Sequence, residues 1–488
     1  MKEKQLPLRI STGVAGLDEI LSGGLIPNRS YLVRGGPGTG KTTLGLHFLE
    51  AGMRKDEKGL IISFNLGEKE LRELMKGFNP DLQNFSVLDL SPNSRFFSEV
   101  ESYEIFAPSE VERGPITKTI IERIEAEKPK RIAIDSISQL RYLASTSAQF
   151  HKQIRSFLYF LIEKGTTVLF TSEVSSTNPD DDMQFISDGI ISLSNSPEGL
   201  RTLSPLKYLG SGFLSGLHNL KLSAVGMEVF PRLVPQNHAR PFTLEALSSG
   251  VPALDEMLCG GLERGTITLI SGPSGTGKTT LGMNFMKEAA RRGERSVIFS
   301  FEEDPELIFH RADSINIPAR VMVEKGTLSI QRIEPLQYTP GEFAYMVRKE
   351  VEEKNARIIM IDSTAGYRVS LQGEDPVSHL HAVCKYLQNM GVATILINEK
   401  EHLTGSFRIT ELGISYMADN IIFLDYIERY KGSIIELKKA VGILKKRMSG
   451  FDSSLHELEI GPNGIRISET LRNLKFIIAG LPSWQEPE

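Results

Sequence analysis

The amino-acid sequence predicts an α/β protein in which two tandem domains each contain a mostly parallel sheet flanked by helices. Three observations predict this fold class: a long internal repeat, an alternation of short apolar runs with longer amphipathic stretches, and a glycine-rich loop at the same point of each repeat. Such alternation is typical of βαβ units, whose parallel strands are covered by helices.

The internal repeat divides the chain. Ser11 to Leu25 (STGVAGLDEILSGGL) is identical to Ser248 to Leu262 (SSGVPALDEMLCGGL) at ten of fifteen positions, at an offset of 237 residues. A period this long excludes solenoid repeats, whose units run about 20 to 50 residues. Three prolines interrupt the pattern between Phe230 and Pro241. We therefore expect one domain over residues 1–240 and the other over residues 241–488.

Five β-branched, apolar runs in each half are predicted strands, and ligands of such sheets bind at the carboxyl ends of the strands. In the first half these runs are Tyr31 to Arg34, Leu60 to Phe64, Arg131 to Asp135, Thr167 to Thr171 and Gly189 to Leu193. In the second half they are Ile267 to Ser271, Ser296 to Phe301, Ile358 to Asp362, Ala393 to Ile397 and Asn420 to Leu424.

Composition and charge exclude several classes of protein. Of the 488 residues, 40% are apolar and 24% charged, as in an ordinary globular protein. The net charge of −5 gives no overall attraction to a polyanion, so we expect no nucleic-acid partner. Cys259 and Cys384 are too few for a disulfide framework or a metal cage. The sequence lacks a signal peptide and any run near the ~18 apolar residues of a membrane span, so we expect a cytoplasmic protein without membrane contact.

Each repeat contains one match to the pattern G-x-x-x-x-G-K-[ST] between a predicted strand and a predicted helix. Glycines let backbone N–H groups converge on phosphates, and the helix N-terminus adds positive potential. The pattern predicts ATP binding, with Lys41 and Lys278 at the β- and γ-phosphates. The residues expected to bind the nucleotide are Gly35, Gly36, Pro37, Gly38, Thr39, Gly40, Lys41, Thr42 and Thr43, and in the second repeat Gly272, Pro273, Ser274, Gly275, Thr276, Gly277, Lys278, Thr279 and Thr280.

Mg²⁺ is expected beside each loop. The hydroxyl groups of Thr42 and Thr279 are the residues of the pattern that bind this ion. Asp135 and Asp362 end apolar strands downstream and are the expected carboxylates of the two metal sites. An aspartate that ends a strand is usually a turn former, but its recurrence downstream of both loops favours the metal role.

Both loops, the sequence FSFEED that includes Glu302 and Glu303, and LDE-x-L-x-GGL upstream of each loop resemble the KaiC family, the double-domain RecA-like ATPases of circadian clocks. The resemblance spans nearly the whole chain. It implies a two-tiered homohexamer with ATP bound between neighbouring subunits, ATP hydrolysis, autophosphorylation in the second domain of some members, and a KaiB-like partner protein.

The resemblance also implies that Glu302 and Glu303 are the family's paired glutamates, which supply the general base. At the aligned positions of the first domain stand Asn65 and Leu66, neither of which can take up a proton. Glu68 lies nearby, but we interpret it as the start of the next helix, where the helix dipole favours an acid.

A second departure falls on the same domain. Lys445 and Arg447 match the family's Lys-x-Arg pair, which implies that they reach the γ-phosphate of a neighbouring subunit. The alternative, that the charge run from Lys438 to Arg447 is only a solvated face, stays open. In the first domain the resemblance implies that Lys207 is the retained lysine of this pair and binds nucleotide, whereas Leu209 replaces the arginine.

The family's phosphorylated Ser-Thr pair falls on Ser415 and Tyr416, so any autophosphorylation is expected on Ser415. A pair of surface hydroxyl groups is the alternative. The stretch from Gly464 to Pro482 resembles the family's closing segment, and only Ser483 to Glu488 follow. We therefore expect no long partner-binding tail, which counts against docking of a KaiA-like activator.

Three functions fit these features. The first is a KaiC-like hexameric ATPase with serine autokinase activity in circadian or related signalling. A RecA- or DnaB-type DNA motor shares the fold and the P-loop, but the negative charge, the missing zinc-binding cysteines and the absence of an appended DNA-binding module disfavour it. A nucleotide-gated scaffold without turnover is supported only in the first domain. We expect that domain to bind ATP mainly to hold the ring, while the second performs most of the hydrolysis.

Overall fold

A computed structural model describes residues 8–78, 85–92, 94, 113–143, 146–173, 180–197, 199–371, 375–399, 414–431, 434–471, 474–475 and 483–484. The chain forms two compact units, Met1–Arg232 and Leu233–Glu488. The division lies within the proline-containing segment from Phe230 to Pro241. Residues after it contact the second unit: Arg240 Nε donates to the Met390 carbonyl at 2.6 Å, and Asn389 Nδ2 donates to the Pro235 carbonyl at 2.8 Å.

The first unit is a single sheet with helices packed on it. Its strands are β1 (Ser30–Gly35), β2 (Gly59–Ser63), β3 (Ser86–Asp89), β4 (Arg131–Asp135), β5 (Thr167–Glu173), β6 (Gly189–Asn195), β7 (Arg201–Tyr208), β8 (His218–Ser223) and β9 (Gly226–Phe230). Its helices are α1 (Ala15–Ile20), α2 (Lys41–Met53), α3 (Glu68–Phe78), α4 (Arg113–Glu127), α5 (Ser147–Glu163) and α6 (Asp181–Ile186), with a 3₁₀ turn at Ile137–Leu143. The strand order is β3-β2-β4-β5-β1-β6-β7-β8-β9.

The second unit has the same plan. Its strands are β10 (Ala246–Leu247), β11 (Leu262–Glu263), β12 (Ile267–Gly272), β13 (Arg295–Ser300), β14 (Leu328–Arg332), β15 (Ala356–Asp362), β16 (Ala393–Glu399), β17 (Asn420–Lys431), β18 (Ile434–Lys446), β19 (His456–Gly461), β20 (Gly464–Thr470), β21 (Leu474–Lys475) and β22 (Ser483–Trp484). Its helices are α7 (Pro252–Met257), α8 (Lys278–Arg291), α9 (Pro305–Ser314), α10 (Ala319–Glu324), α11 (Pro340–Glu352), α12 (Thr364–Ser370) and α13 (Pro376–Asn389), with 3₁₀ turns at Pro235–Asn237 and Ile414–Tyr416. The main strand order is β14-β13-β15-β16-β12-β17-β18-β19-β20.

In each sheet six parallel strands are followed by three antiparallel ones, with β1 and β12 inside the parallel part. The parallel strands are covered on both faces, which explains why they are almost wholly apolar. Alternate residues of one strand enter opposite cores: Leu32 and Ile62 lie in one cluster of the first unit, and Val33 and Ile61 lie in the other. This burial fixes the strand ends that carry the glycine-rich loops.

The predicted fold class is confirmed. All ten predicted strands form, and their ends agree within two residues except in β17, which continues to Lys431. The sequence pattern missed the outer parallel strands β3 and β14 and the antiparallel extensions β7 to β9 and β18 to β20. Among the described residues, no helix combines the length and apolarity needed to cross a membrane.

Candidate nucleotide-binding sites

The two glycine-rich loops lie at the carboxyl ends of β1 and β12, and each leads directly into a helix, α2 or α8. Gly40 and Gly277 precede these helices with φ values of 100° and 103°, in the left-handed region that favours glycine. A Cβ atom on Gly40 would lie 2.8 Å from Met227 Cε, and one on Gly277 would lie 2.1 Å from Ile460 Cδ1. The backbone conformation therefore favours glycine at both positions, and the backbone amides of each helix start face the loop.

The lysine of each loop is a buried cation. Lys41 Nζ donates to the carbonyl groups of Gly35 and Gly36, both at 2.8 Å, and Lys278 Nζ donates to the Pro273 carbonyl at 2.8 Å. The two side chains are 9% and 8% exposed, and burial lowers the pKa of each ammonium group. Within the described part of the chain neither lysine forms an ion pair with a carboxylate. Each loop thus holds a desolvated positive charge that a phosphate group would neutralise.

A threonine and an aspartate meet beside each lysine. Thr42 Oγ1 donates to Asp135 Oδ2 at 2.6 Å, and Thr279 Oγ1 donates to Asp362 Oδ2 at 2.7 Å. Hydroxyl and carboxylate oxygens at the end of a P-loop are the ligands and water acceptors that Mg²⁺ prefers. The residues present therefore fit Mg²⁺ in both units. The pKa of the Asp362 carboxyl is raised to about 6, mainly because the group is desolvated, and the negative charges of Glu303 and Glu302 contribute to the rise.

The paired glutamates of the second unit follow β13 and differ in their contacts. Glu303 accepts two hydrogen bonds from Arg311, Nη1 to Oε1 at 2.8 Å and Nη2 to Oε2 at 2.6 Å. Glu302 instead accepts a hydrogen bond from the hydroxyl group of Ser363, and its negative charge raises the pKa of Lys278 against the effect of burial. Of the pair, Glu302 is exposed and its charge acts on Lys278, after the larger effects of Glu399 and Asp362, whereas Glu303 is fixed by a guanidinium group.

In the first unit the position that corresponds to Glu302 follows β2 and is occupied by Asn65. Two hydrogen bonds fix its side-chain amide. Gln139 Nε2 donates to Asn65 Oδ1 at 3.1 Å, and Asn65 Nδ2 donates to Glu173 Oε1 at 3.3 Å. Glu68 lies in the first turn of α3 and accepts a hydrogen bond from Arg72 at 2.6 Å. Glu173 was missed by sequence reasoning, although both repeats end the strand beside the P-loop strand with a glutamate, Glu173 and Glu399.

The Lys-x-Arg residues lie at the opposite end of the sheet from their own loops. Lys445 Nζ donates to the carbonyl groups of Ala418 at 2.7 Å and Ser415 at 3.4 Å. Arg447 Nη2 donates to the Tyr416 carbonyl at 3.0 Å. These partners precede β17, whose amino end pairs with the early residues of β12, whereas the P-loop follows the carboxyl end of β12. The pair is therefore not brought to the loop of its own unit.

The first unit repeats this arrangement with one change. Lys207 Nζ donates to the carbonyl groups of Gln184 at 3.1 Å and Phe185 at 3.4 Å, just before β6. Leu209 takes the place of the arginine, and its side chain is 48% exposed. Lys207 therefore lies, like Lys445, away from the P-loop of the unit that carries it.

Ser415 and Tyr416 lie in the 3₁₀ turn before β17. The Tyr416 side chain is 57% exposed, and its ring centroid lies 6.1 Å from that of His381. The stretch from Thr410 to Gly413 lies outside the described residues. Of the closing segment Gly464 to Pro482, β20 and β21 are described, and residues 472–473 and 476–482 lie outside the described residues.

Comparisons with known proteins agree with this geometry. The family model described as "ATPase: KaiC" matches the chain twice, over residues 10–234 and 247–472. The circadian clock oscillator protein KaiC of Parasynechococcus marenigrum is 29% identical, over 97% of this chain and 93% of that protein. The KaiC 1 protein of Synechocystis is 29% identical over 97% of this chain and 92% of that protein. The KaiC protein of Synechococcus elongatus is 27% identical over 99% of this chain and 93% of that protein.

Proposed function

We propose that this chain is a homohexameric ATPase whose second unit performs most of the hydrolysis. The proposal proceeds from its family, because the chain belongs to the KaiC ATPases. The observation that carries the proposal is a difference between two similar sites. Each has a buried P-loop lysine beside a hydrogen-bonded threonine–aspartate pair, but Glu302 and Glu303 follow β13 where Asn65 and Leu66 follow β2. A protein that only binds ATP needs the P-loop and its lysine. Hydrolysis needs in addition a group that takes a proton from water, and in the second unit the carboxylates of Glu302 and Glu303 can do so.

Each site has residues suited to Mg·ATP. The loop amides and the lysine would bind the β- and γ-phosphates, and Thr42 with Asp135, or Thr279 with Asp362, would hold the metal. When bound, Mg²⁺ supplies positive charge that offsets the negative charge developing on the phosphates. On binding, Lys278 would exchange its hydrogen bond to the Pro273 carbonyl for one to a phosphate oxygen. That exchange stabilises the ammonium charge, which burial disfavours in the free protein.

Within the second unit we assign Glu302 as the general base. It lies beside Ser363 and its charge acts on Lys278, whereas both oxygens of Glu303 are engaged by Arg311. Glu302 accepts the proton of the attacking water, and Glu303 with Arg311 fixes the loop that carries it. Positioned general-base catalysis typically contributes about 10²- to 10⁴-fold. Asn65 cannot accept a proton, so the first unit binds ATP with little turnover.

Lys445 and Arg447 are proposed to act on the ATP of a neighbouring subunit. They lie at the end of the sheet away from their own P-loop. Arg447 is half exposed and pairs with Asp419 at 3.3 Å, a partner that it would exchange for a phosphate group of the neighbouring subunit. A guanidinium group that reaches the γ-phosphate in trans requires a ring in which each site is completed by the next subunit.

Native mass spectrometry tests the ring. We expect hexamers in saturating Mg·ATP and smaller species in its absence. A chain that stays monomeric in saturating Mg·ATP would remove the basis for placing Lys445 and Arg447 at a neighbour's phosphate. The same sample, assayed for phosphate release, tests ATP hydrolysis separately.

The biological role is proposed from the relatives, whose names describe circadian clock oscillator proteins. We propose a timing or related signalling role, serine autophosphorylation on Ser415, and a KaiB-like protein as partner. Incubation with ATP followed by phosphopeptide mapping tests the first molecular step of that role.

A further inference from the structure

A carboxylate of the first unit lies where the paired glutamates are missing. Glu173 ends β5, the strand that pairs with β1, and it lies directly across from Gly35, the first residue of the P-loop. Its Oε1 accepts the hydrogen bond of Asn65 Nδ2 at 3.3 Å. Asn65 stands at the position of Glu302 in the second unit. The Glu173 carboxylate, which belongs to another strand, is therefore hydrogen-bonded to the amide at that position.

Neighbouring groups hold this carboxylate in place. The Glu173 backbone N–H donates to Ser138 Oγ at 3.2 Å, which fixes the end of the strand. Gln139 donates to the amide oxygen of Asn65, so the amide nitrogen is turned towards Glu173. The Glu173 side chain is itself exposed, so a water molecule can reach it. An oriented, hydrated carboxylate is the arrangement that general-base catalysis requires.

The strand register places Glu173 on the phosphate side of the site. β5 runs parallel to β1, and its last residue, Glu173, pairs with Gly35, where the P-loop begins. Asn65 follows β2, so the hydrogen bond between Asn65 and Glu173 lies at the carboxyl edge of the parallel strands, where ligands of such sheets bind.

We propose that Glu173 is the catalytic proton acceptor of the first unit, held by Asn65, and that it supports the slow hydrolysis of ATP there. This inference rests on the proposed function. In the step, a water oxygen bonds to the γ-phosphorus and the bond from that phosphorus to the β,γ-bridging oxygen breaks. Glu173 takes the water proton, ADP leaves with the bridging oxygen, and the proton passes from Glu173 to solvent.

The second unit supplies a matched control. Glu399 ends β16 and lies across from Gly272, as Glu173 lies across from Gly35. There, however, Glu302 is present to accept the proton. The glutamate at the strand end should therefore determine the rate of ATP hydrolysis only in the first unit, where Asn65 stands in place of Glu302.

The experiment isolates one unit at a time in the full chain. In a Lys278→Ala background, Glu173→Gln should lower the remaining kcat roughly 100-fold, within the range for loss of a general base. The KM for ATP should change less than about threefold, because glutamine keeps the shape of the side chain and its hydrogen bond with the amide. In a Lys41→Ala background, Glu399→Gln should change kcat less than about threefold.

A double substitution separates proton transfer from a structural role. Asn65→Glu restores the second unit's residue type, so Glu173→Gln should have little further effect in the Asn65→Glu background. An equal loss in both backgrounds would overturn the proposal, because a structural role does not depend on which residue accepts the proton. Unchanged kcat in Glu173→Gln, or no hydrolysis by Lys278→Ala chains that still bind ATP, would also overturn it. Absence of hydrolysis in the wild-type chain would instead refute the proposed function.

Discussion

The two nucleotide sites of this chain have the same scaffold and different chemistry around the attacking water. Strand order, the left-handed glycine before the helix, the buried lysine and the threonine–aspartate hydrogen bond are repeated in both units. The residues after β2 and β13 are not: Glu302 and Glu303 occupy one site, and Asn65 and Leu66 the other. The expected binding residues are thus present in both units, while the carboxylates after the second parallel strand are present in one.

A second difference explains how the changed site stays ordered. Arg311 binds Glu303 with two hydrogen bonds in the second unit. The residue aligned with Arg311 in the first unit is Leu74, so this unit has neither the guanidinium group nor its carboxylate partner at these positions. Asn65 is held instead by Gln139 and Glu173. The comparison shows that a different set of polar groups satisfies each position, so neither a charge nor an amide is left unpaired there.

The largest expected effect separates the paired glutamates. Glu302→Gln should lower ATPase activity about 100-fold or more, because the amide cannot accept a proton. Glu303→Gln should lower it less, because Glu303 already binds Arg311 through both oxygens. Steady-state phosphate release from the two purified variants measures the difference. A larger loss in Glu303→Gln would exchange the two roles.

A smaller effect is expected from the arginine that the first unit lacks. Arg447→Ala should lower the turnover rate about tenfold or more and weaken ATP binding less than that. The reason is that a trans-acting guanidinium group stabilises charge mainly in the transition state. Equilibrium binding of a fluorescent ATP analogue and phosphate release are measured on the same hexamers. Arg447→Lys is the control for charge alone. Unchanged turnover would favour the solvated-face interpretation of the run from Lys438 to Arg447.

A pH dependence of metal binding is expected in the second unit. With a pKa of about 6, the Asp362 carboxyl is mostly protonated at pH 5 and mostly ionised at pH 7. A metal must displace that proton at low pH, so Mg²⁺ affinity should rise about tenfold from pH 5 to pH 7 and then level off. Calorimetric titration of Lys41→Ala protein with Mg·ATP measures it. Asp362→Asn is the control, because the phosphates of the nucleotide titrate in the same way with both proteins. A pH profile that is the same in this variant would contradict the assignment of Asp362 as the titrating carboxylate of the metal site.

The smallest expected signal is autophosphorylation. Ser415 rather than Tyr416 should carry phosphate after incubation with ATP, because the serine keeps the family's acceptor hydroxyl. Phosphopeptide mapping of the wild-type chain detects it, and Ser415→Ala is the matched control. Phosphate on Tyr416 alone would show that the assignment of the acceptor pair is wrong.

Sequence reasoning located the parts of the sites that are local in the chain. Gly35 to Thr42 and Gly272 to Thr279 are continuous motifs with a fixed conformation, so the pattern alone identifies them. Asp135 and Asp362 end apolar runs whose burial determines their strands. Edge strands such as β3 were missed because one side of an edge strand lacks a partner strand, so its apolar signal is weaker.

Contacts between strands distant in sequence could not be predicted in the same way. Glu173 lies 108 residues from Asn65 in sequence, and only the order of β2, β4, β5 and β1 brings them together. The asymmetric hydrogen bonding of Glu302 and Glu303 likewise depends on Ser363 and Arg311, which lie on other elements. An internal alignment of the repeats would have drawn attention to Glu173 and Glu399, but not to the bond with Asn65.

Steady-state phosphate release by Lys41→Ala and Lys278→Ala chains, compared at matched hexamer content, tests the unequal division of labour most directly. The account predicts that Lys278→Ala loses at least about nine-tenths of the wild-type rate, because the remaining unit lacks the glutamate pair. Lys41→Ala should keep most of the rate per hexamer and chiefly reduce assembly. If Lys278→Ala kept most of the wild-type rate, the first unit would be the main site of hydrolysis and the central claim would be contradicted.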